Sequence, residues 1–201
     1  DSCASLLGCV HTNNALPCPD SELVCMSGTC QFPRPSKPGQ VLITEFMAKS
    51  QTGTDNGEWV ELHNTTTHTL ELKDCILRDF GSDKHVINVP LSIAAKGFIA
   101  MAKSSDPILN HGLSPDYTYA TLTLSNTEDE IQLECSGAVI DTVAYLDADK
   151  ILTGAAAQLD PANFDHIAND DMNNWCLATA TYGPEGMHGT PGEPNEPCPL
   201  Q

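Results

Sequence analysis

From residue 41 onward the sequence consists of short apolar stretches separated by turn-forming residues, a pattern that favours strands over helices. The clearest stretch is 130–135, where Ile131, Leu133 and Cys135 alternate with polar residues. These three side chains should therefore face a core while their neighbours face water. We predict eight strands, at 41–48, 58–64, 70–78, 85–89, 97–103, 117–124, 130–135 and 139–146. This spacing predicts an all-β sandwich.

The nine cysteines constrain the rest of the chain. Their spacings lack the paired short knuckles of a zinc finger, so we interpret them as disulfide partners in an oxidising, extracellular setting. Residues 1–30 show almost no alternation, which predicts a cysteine-rich arm ordered mainly by disulfides. The arm holds five cysteines, at Cys3, Cys9, Cys18, Cys25 and Cys30. Three prolines in residues 31–40 predict a stiff linker, so the sandwich should occupy residues 41–201.

Two disulfide pairings follow from where the other four cysteines lie. Cys75 and Cys135 fall at inward positions of core strands, so we expect a bridge that closes a loop of about 60 residues and contributes about 4 kcal/mol. The alternative is two buried free thiols that pack as small hydrophobic groups. Cys176 and Cys198 flank a Gly- and Pro-rich tail that would otherwise fray, so we expect a second bridge there. Since nine is odd, one arm cysteine should stay unreacted or bond another chain.

The net charge argues against several classes of partner. Nine Lys and Arg against 27 Asp and Glu give a formal charge of -18. Such a charge opposes binding to nucleic acid or to an anionic membrane surface. No run reaches the roughly 20 apolar residues that a membrane helix needs. We therefore expect neither a nucleic-acid partner nor a membrane span.

Two features suggest a ligand or a modification. Asp165, Asp170 and Asp171 lie with several Asn residues in a long irregular stretch at 147–174, and hard oxygen ligands of this kind suit calcium. The alternative is a solvated acidic loop. Asn64 begins an Asn-Thr-Thr sequon in a predicted hairpin, which would mark a glycosylated surface turn in a eukaryotic or archaeal protein.

The sequence gives little support for catalysis. Glu45, Glu58 and Glu61 invite comparison with the paired carboxyls of acid–base enzymes. However, Glu58 and Glu61 differ by an odd number within one predicted strand, so they should project to opposite faces. The sequence has no nucleophile elbow, no zinc-binding histidine pair and no glycine-rich phosphate loop. We predict no catalytic residue, no enzyme activity and no cofactor beyond the calcium considered above.

Several separated motifs occur in order along the chain. They include Gly-Glu-Trp-Val-Glu-Leu-His-Asn at 57–64 and Gly-Thr-Pro-Gly-Glu-Pro-Asn at 189–195, and the others lie at 41–46, 72–79, 93–97, 122–133, 137–145 and 175–176. Together they resemble the lamin tail domain in its secreted bacterial form, over about residues 41–198. The resemblance implies an immunoglobulin-like β-sandwich whose relatives are non-catalytic interaction or targeting modules. The cysteines argue against a nuclear role. The arm is similar to cysteine-rich repeats of bacterial secreted surface proteins.

These observations predict an acidic, secreted, non-catalytic protein of the extracellular space or cell surface, with a structural or adhesive role. We expect it to assemble with copies of itself, as a surface or filament subunit, or with another surface protein, through sheet edges or the arm. The alternative is a monomeric extracellular module that binds a protein or a carbohydrate, with or without calcium.

Overall fold

The structure is a computed structural model that describes residues 2–4, 8–10, 22–26, 29–51, 55–146 and 150–199. Its strands in chain order are β1 (Ser2–Ala4), β2 (Gly8–Val10), β3 (Val24–Met26), β4 (Thr29–Gln31), β5 (Val41–Met47), β6 (Trp59–Asn64), β7 (Leu70–Glu71), β8 (Ile76–Arg78), β9 (Lys84–Val86), β10 (Ser92–Ile93), β11 (Phe98–Ala102), β12 (Tyr117–Thr118), β13 (Glu128–Cys135), β14 (Ala138–Leu146), β15 (Ala157–Leu159), β16 (Trp175–Leu177), β17 (Thr181–Tyr182) and β18 (Met187–His188). Short 3-10 helices lie at Asp55–Gly57, Pro161–Asn163, Ala168–Asp170 and Met172–Asn174. Within the described residues, no helix is long and apolar enough to cross a membrane.

Two sheets pack face to face, which confirms the predicted all-β sandwich. One sheet has six strands in the order β12-β11-β6-β5-β15-β16, and the other has four in the order β14-β13-β8-β9. Aromatic rings from both sheets meet in the core. Phe46 of β5 stacks on Tyr145 of β14 with ring centroids 4.7 Å apart, and the ring of Trp175 lies 5.4 Å from that of Phe46.

The alternation in β13 behaves as the sequence predicts. Ile131, Leu133 and Cys135 are buried, while the residues between them are partly exposed. The hairpin to β14 turns at Ser136 and Gly137, whose φ angles of 54° and 79° are both positive. Two positive φ angles in a two-residue loop match the twist of the strands that the loop connects.

Two disulfides fasten the sandwich. Cys75, just before β8, is bonded to Cys135 at the end of β13, and their Cα atoms lie 4.4 Å apart in the core. Cys176 of β16 is bonded to Cys198, with Cα atoms 5.8 Å apart. These are the two pairs that the sequence predicts. Cys30 is also disulfide-bonded, whereas the pairing of the other arm cysteines involves side chains outside the described residues.

The outer face of the six-stranded sheet is covered as well. Its side chains form a second apolar cluster with residues from the loop at 104–116 and from the C-terminal segment at 178–198. The buried members are Met47, Trp59, Ala100, Ala102, Leu113, Ala156, Ala178 and Met187. The six-stranded sheet is therefore buried on both faces.

Three predicted elements differ from the structure. The expected strand at 70–78 is divided into β7 and β8, because the chain turns at Asp74 with a φ of 68°. The expected strand at 117–124 is reduced to β12, and the N–H of Leu124 donates to the carboxyl group of Glu58 at 2.9 Å instead of to a strand. The stretch at 147–174, expected to be irregular, contributes β15 to the larger sheet, between β5 and β16.

The predicted linker at 31–40 contacts the sandwich along its length. The carbonyl of Pro33 accepts the N–H of Glu71 at 2.9 Å, and the N–H of Gly39 donates to the carbonyl of Ile140 at 2.8 Å. Between them, Arg34 forms an ion pair of 2.8 Å with Asp74. The division into arm, linker and sandwich stays a prediction.

Candidate functional site

The strand β14 lies at one end of the four-stranded sheet, so one of its edges faces away from the sheet. It is nine residues long and pairs along its other edge with β13, from Ala138 opposite Cys135 to Leu146 opposite Glu128. An edge strand presents unpaired N–H and C=O groups that a further strand can use. The position and length of β14 make it a candidate interface.

The first half of this edge is fastened to the protein itself. Gly39 donates its N–H to the carbonyl of Ile140, and the carboxyl group of Asp141 turns inward to other residues. The second half is different. Within the described residues, no backbone hydrogen bond joins residues 142–146 to any strand except β13. The available edge therefore runs from Thr142 to Leu146.

The side chains of β14 do nothing to block a partner. Val139, Ala144 and Leu146 are exposed and apolar, with 66% of Leu146 accessible to water, and Asp141, the one charged residue of the strand, is buried. Proteins commonly protect an edge with Lys, Pro or a bulge. The register shift of this hairpin lies opposite the first half, between Leu133 and Glu134. Residues 142–146 carry none of these devices.

An acidic cleft of about 530 Å³ lies beside the available edge. Its walls come from the open end of the β13–β14 hairpin and from the residues that follow it. The lining residues are Glu128, Asp129, Glu130, Ala144, Tyr145, Leu146, Lys150 and Met172. Burial raises the pKa of Asp129, against the effect of two backbone N–H donors. Three carboxyl groups against one ammonium give the cleft a preference for cationic groups.

A second constellation, which the sequence did not predict, lies under the C-terminal segment. Glu45 and Glu61 are cross-strand partners on β5 and β6, and both are wholly buried. Burial raises the pKa of Glu45 to about 8. Burial and the neighbouring Glu45 raise the pKa of Glu61 well above its ordinary value. The pair therefore retains a proton at neutral pH.

These carboxyl groups hold the C-terminal segment. Thr190 donates its N–H and its hydroxyl to Glu45 at 3.1 and 3.0 Å, and Gly192 donates its N–H to Glu61 at 2.9 Å. Thr44 donates its hydroxyl to Glu61 at 2.7 Å. These contacts give Glu45 and Glu61 a structural role, which is to hold the C-terminal segment on the sheet. Spacing along one strand separates Glu58 from Glu61, whereas the pair of Glu45 with Glu61 forms across two strands and is not visible in the spacing.

The residues predicted to bind calcium serve mainly as turn caps. Asp165 accepts the N–H groups of Ile167 and Ala168 at 2.9 and 3.2 Å. Asp171 accepts the N–H of Asn173 at 2.9 Å, and Asp170 is exposed. In the described part of the chain, no group of three His, Cys, Asp or Glu side chains is placed to hold a metal ion. Calcium binding at this loop stays a prediction, which melting with and without a chelator would test.

The sequon at Asn64 does not lie on the exposed turn that the sequence predicts. Asn64 is wholly buried, and its amide nitrogen donates to the carbonyls of His68, Ile93 and Ala94 at 2.9, 3.0 and 3.0 Å. Its oxygen accepts the N–H of Thr66 at 2.9 Å. A glycan on that nitrogen would remove these hydrogen bonds and has no space. The sequon arises because Thr66 closes a turn on Asn64.

The fold is of the immunoglobulin-like class, and its candidate sites are surfaces for binding or assembly. Comparison with family models gives a match to the lamin tail domain over residues 34–147, more than half of the chain, so the protein belongs to the lamin tail domain family. This is a family of non-catalytic, immunoglobulin-like domains. A search of curated proteins finds no match. The matched range includes β5 to β14, whereas β15 to β18 and the C-terminal segment lie beyond it.

Proposed function

We propose that this protein is a secreted structural module that assembles with copies of itself through β14. The observation that carries the proposal is the available edge at residues 142–146, which is uncharged in a chain whose formal charge is -18. Two identical β14 strands can pair antiparallel about a twofold axis without placing like charges opposite each other. The pairing would join two four-stranded sheets into one continuous sheet.

The cysteines support an extracellular setting and a second joint. Cys75 is bonded to Cys135, Cys176 is bonded to Cys198, and Cys30 is also disulfide-bonded. These disulfides suit an oxidising compartment. Nine cysteines leave at least one without a partner inside these 201 residues. If that cysteine bonds its equivalent in a second copy, each subunit has two different self-complementary joints. Two such joints on one subunit produce an open, linear assembly.

The test is the molar mass in solution, measured by light scattering on a sizing column over a range of protein concentration and salt. Because two copies of charge -18 repel each other, added salt should screen the repulsion and promote assembly. Ala144→Lys places a charge on the edge and should return the protein to a monomer, or to a disulfide-linked dimer that reductant separates. Val86→Lys, the same kind of change at the opposite edge strand β9, is the matched control and should leave assembly unchanged. A wild-type mass near 21.5 kDa under every condition would refute the proposal.

The acidic cleft favours a second function, an adhesive module for a cationic partner strand. Glu128, Asp129 and Glu130 lie on β13 opposite residues 144–146 and line the cleft with them, so a Lys- or Arg-bearing extended segment that reaches into the cleft would gain both strand pairing and charge attraction. The salt dependence separates the two functions, since screening weakens binding to a cationic partner and strengthens self-assembly. This second function would be established if the wild-type protein is a monomer that binds oligolysine in low salt and the Glu130→Gln variant does not bind oligolysine.

A further inference from the structure

The C-terminal segment covers a part of the sheet that contains two adjacent carboxyl groups, and it binds those groups directly. Residues 189–197, which we name the lid, cross the outer face of the six-stranded sheet above Glu45 and Glu61. The hydrogen bonds from Thr190 and Gly192 to the two carboxyl groups are polar contacts in the first half of the lid. Near its far end, Asn195 donates to the carbonyls of Thr44 and Leu159 at 2.8 Å each.

The lid is tethered at both ends, so opening would not release it. Before it, β18 pairs with β17, and the N–H of Gly189 donates to the carbonyl of Ala180 at 2.9 Å. After it, Cys198 is bonded to Cys176. Between these two anchors the lid lies close against the sheet: a Cβ atom at Gly189 would come within 2.8 Å of the Trp59 ring and 3.2 Å of the Glu45 carboxyl group.

We propose that the lid is a pH-operated latch: it is closed while Glu45 and Glu61 share at least one proton, and it opens when both carboxyl groups are ionised. In the closed state, two ionised carboxylates would be buried as direct cross-strand partners, where Cβ atoms are roughly 5 Å apart. Buried like charges at this separation cannot both be stable. Lifting the lid admits water to both groups and removes the conflict.

The surroundings supply no cation to relieve the pair. On the sheet, Glu45 and Glu61 stand in a row with Gln158 on one side and Ala100 on the other. The charged lid residues Glu193 and Glu196 are acidic and exposed, and Asp116, which accepts the N–H of Ala100 at 2.9 Å, is also acidic. The Tyr182 hydroxyl has a pKa that is raised by burial and by Glu45. His63 lies on the same face of β6 as Glu61, and burial lowers its pKa, which favours the neutral imidazole. Among the described residues, no ion pair includes Glu45 or Glu61.

The open state of the lid should become more populated as the pH rises, with a steepness set by the number of protons released. Burial holds the pKa of Glu45 near 8, and exposure would return it toward the ordinary value of 4.5. The closed lid therefore binds protons more tightly than the open lid does. Between the ordinary value of 4.5 and the closed-state pKa, the population of the open state should rise about tenfold per pH unit for each proton that opening releases.

Amide hydrogen exchange followed by NMR on the full 15N-labelled chain tests the latch. The reporters are the N–H groups of Thr190 and Gly192, and Ile131 in the distant β13 is the reference. We express each rate as a protection factor against the intrinsic rate at the same pH. Between pH 7 and 9 the two lid protection factors should fall at least tenfold while that of Ile131 stays constant. Constant lid protection up to pH 9 would overturn the proposal.

Three variants assign the effect to the pair. Glu61→Gln keeps a side-chain oxygen for Gly192 and leaves only the Glu45 proton to be released on opening, so its lid protection should fall less steeply than that of the wild type between pH 7 and 9. Glu45→Gln is the second variant and should behave in the same way if the first does not fold. Glu58→Gln is the matched control, since Glu58 is also buried with a pKa near 8 but lies in contact with Leu124 rather than with the lid. It should keep the wild-type fall in lid protection between pH 7 and 9.

A Glu45→Gln or Glu61→Gln variant whose lid protection falls with pH as that of the wild type does would also overturn the proposal. Because the reporters are amides of the monomer, the result does not depend on assembly through β14.

Discussion

Asp141 of β14 accepts the backbone N–H of Ile43 at 2.6 Å, and this bond joins the two sheets of the sandwich across the core. The β5–β6 register shifts between Ile43 and Glu45. Such a bulge leaves backbone groups without a ladder partner, and the Asp141 carboxyl group supplies one from the opposite sheet. The side-chain amide of Asn169 donates to the same oxygen at 2.7 Å. The edge strand proposed for assembly is thus anchored at its first half.

Asp141→Ala should destabilise the protein by about 2–4 kcal/mol, because it leaves two buried N–H donors, on Ile43 and Asn169, without an acceptor. Urea unfolding followed by circular dichroism measures the free-energy difference. Asp170→Ala is the control, since Asp170 is exposed on the adjacent 3-10 helix, and its effect should stay within about 0.5 kcal/mol. Equal effects of the two substitutions would show that Asp141 does not connect the sheets.

The two disulfides should differ in their contributions to stability. Cys75–Cys135 spans 60 residues and Cys176–Cys198 spans 22. In the chain-entropy model, loops of these lengths correspond to about 4 and about 3 kcal/mol. We expect Cys75→Ala with Cys135→Ala to lower the free energy of unfolding more than Cys176→Ala with Cys198→Ala. Urea titrations without reductant measure the free energy of unfolding of both double variants. The reverse order would mean that the Cys176–Cys198 bridge stabilises other parts of the protein besides the C-terminal tail.

The sequence predicted the parts of the fold that local patterns encode. Ile131 and Leu133 alternate with polar residues, so the strand, its buried face and its partner hairpin follow from period and turn chemistry. Cys75 and Cys135 were assigned as partners because both occupy inward positions of such strands. The sequon at Asn64 is a local pattern too, and it does not indicate that the amide is buried, because the three carbonyls that bind the amide come from residues 68, 93 and 94.

The candidate sites depend on register and on distant contacts, which local patterns do not contain. Glu45 and Glu61 become partners only after the bulge near Ile43 sets the pairing of β5 with β6. The β15 strand begins in an alanine run with no alternation, and its place in the sheet depends on neighbours at β5 and β16. The openness of β14 depends on strand order. Hydrophobic periodicity predicts the strands but not their order in a sheet.

Glu58 should make the stability of the protein fall as the pH rises. Burial raises its pKa from 4.5 to about 8, so the folded state holds a proton that the unfolded state has already lost. This stabilising contribution is complete below pH 4.5 and is lost as the pH rises to about 8. Glu58→Gln should flatten the slope of unfolding free energy against pH by up to about 1.4 kcal/mol per pH unit in that window.

The measurement is a series of urea titrations between pH 5 and pH 9 on both proteins. Glu128→Gln, which changes an exposed carboxyl group at the start of β13, is the control for the change in net charge. It should keep the wild-type slope apart from the small effect of one surface charge. A Glu58→Gln protein with the full wild-type slope would mean that Glu58 is ionised in the folded state.

Asn64 should prove structural and unmodified. Asn64→Ala removes an amide that donates to three buried carbonyls and an oxygen that accepts from Thr66, so we expect a loss of about 2–4 kcal/mol. Thr67→Ala, at the exposed next position, should change stability by less than about 0.5 kcal/mol. Secretion from a host that glycosylates asparagine adds a direct test by intact-mass measurement. Because a glycan at Asn64 is incompatible with the fold, the folded fraction should have the mass of the bare polypeptide. A folded, glycosylated fraction would show that the turn at 64–66 opens far more readily than its hydrogen bonds indicate.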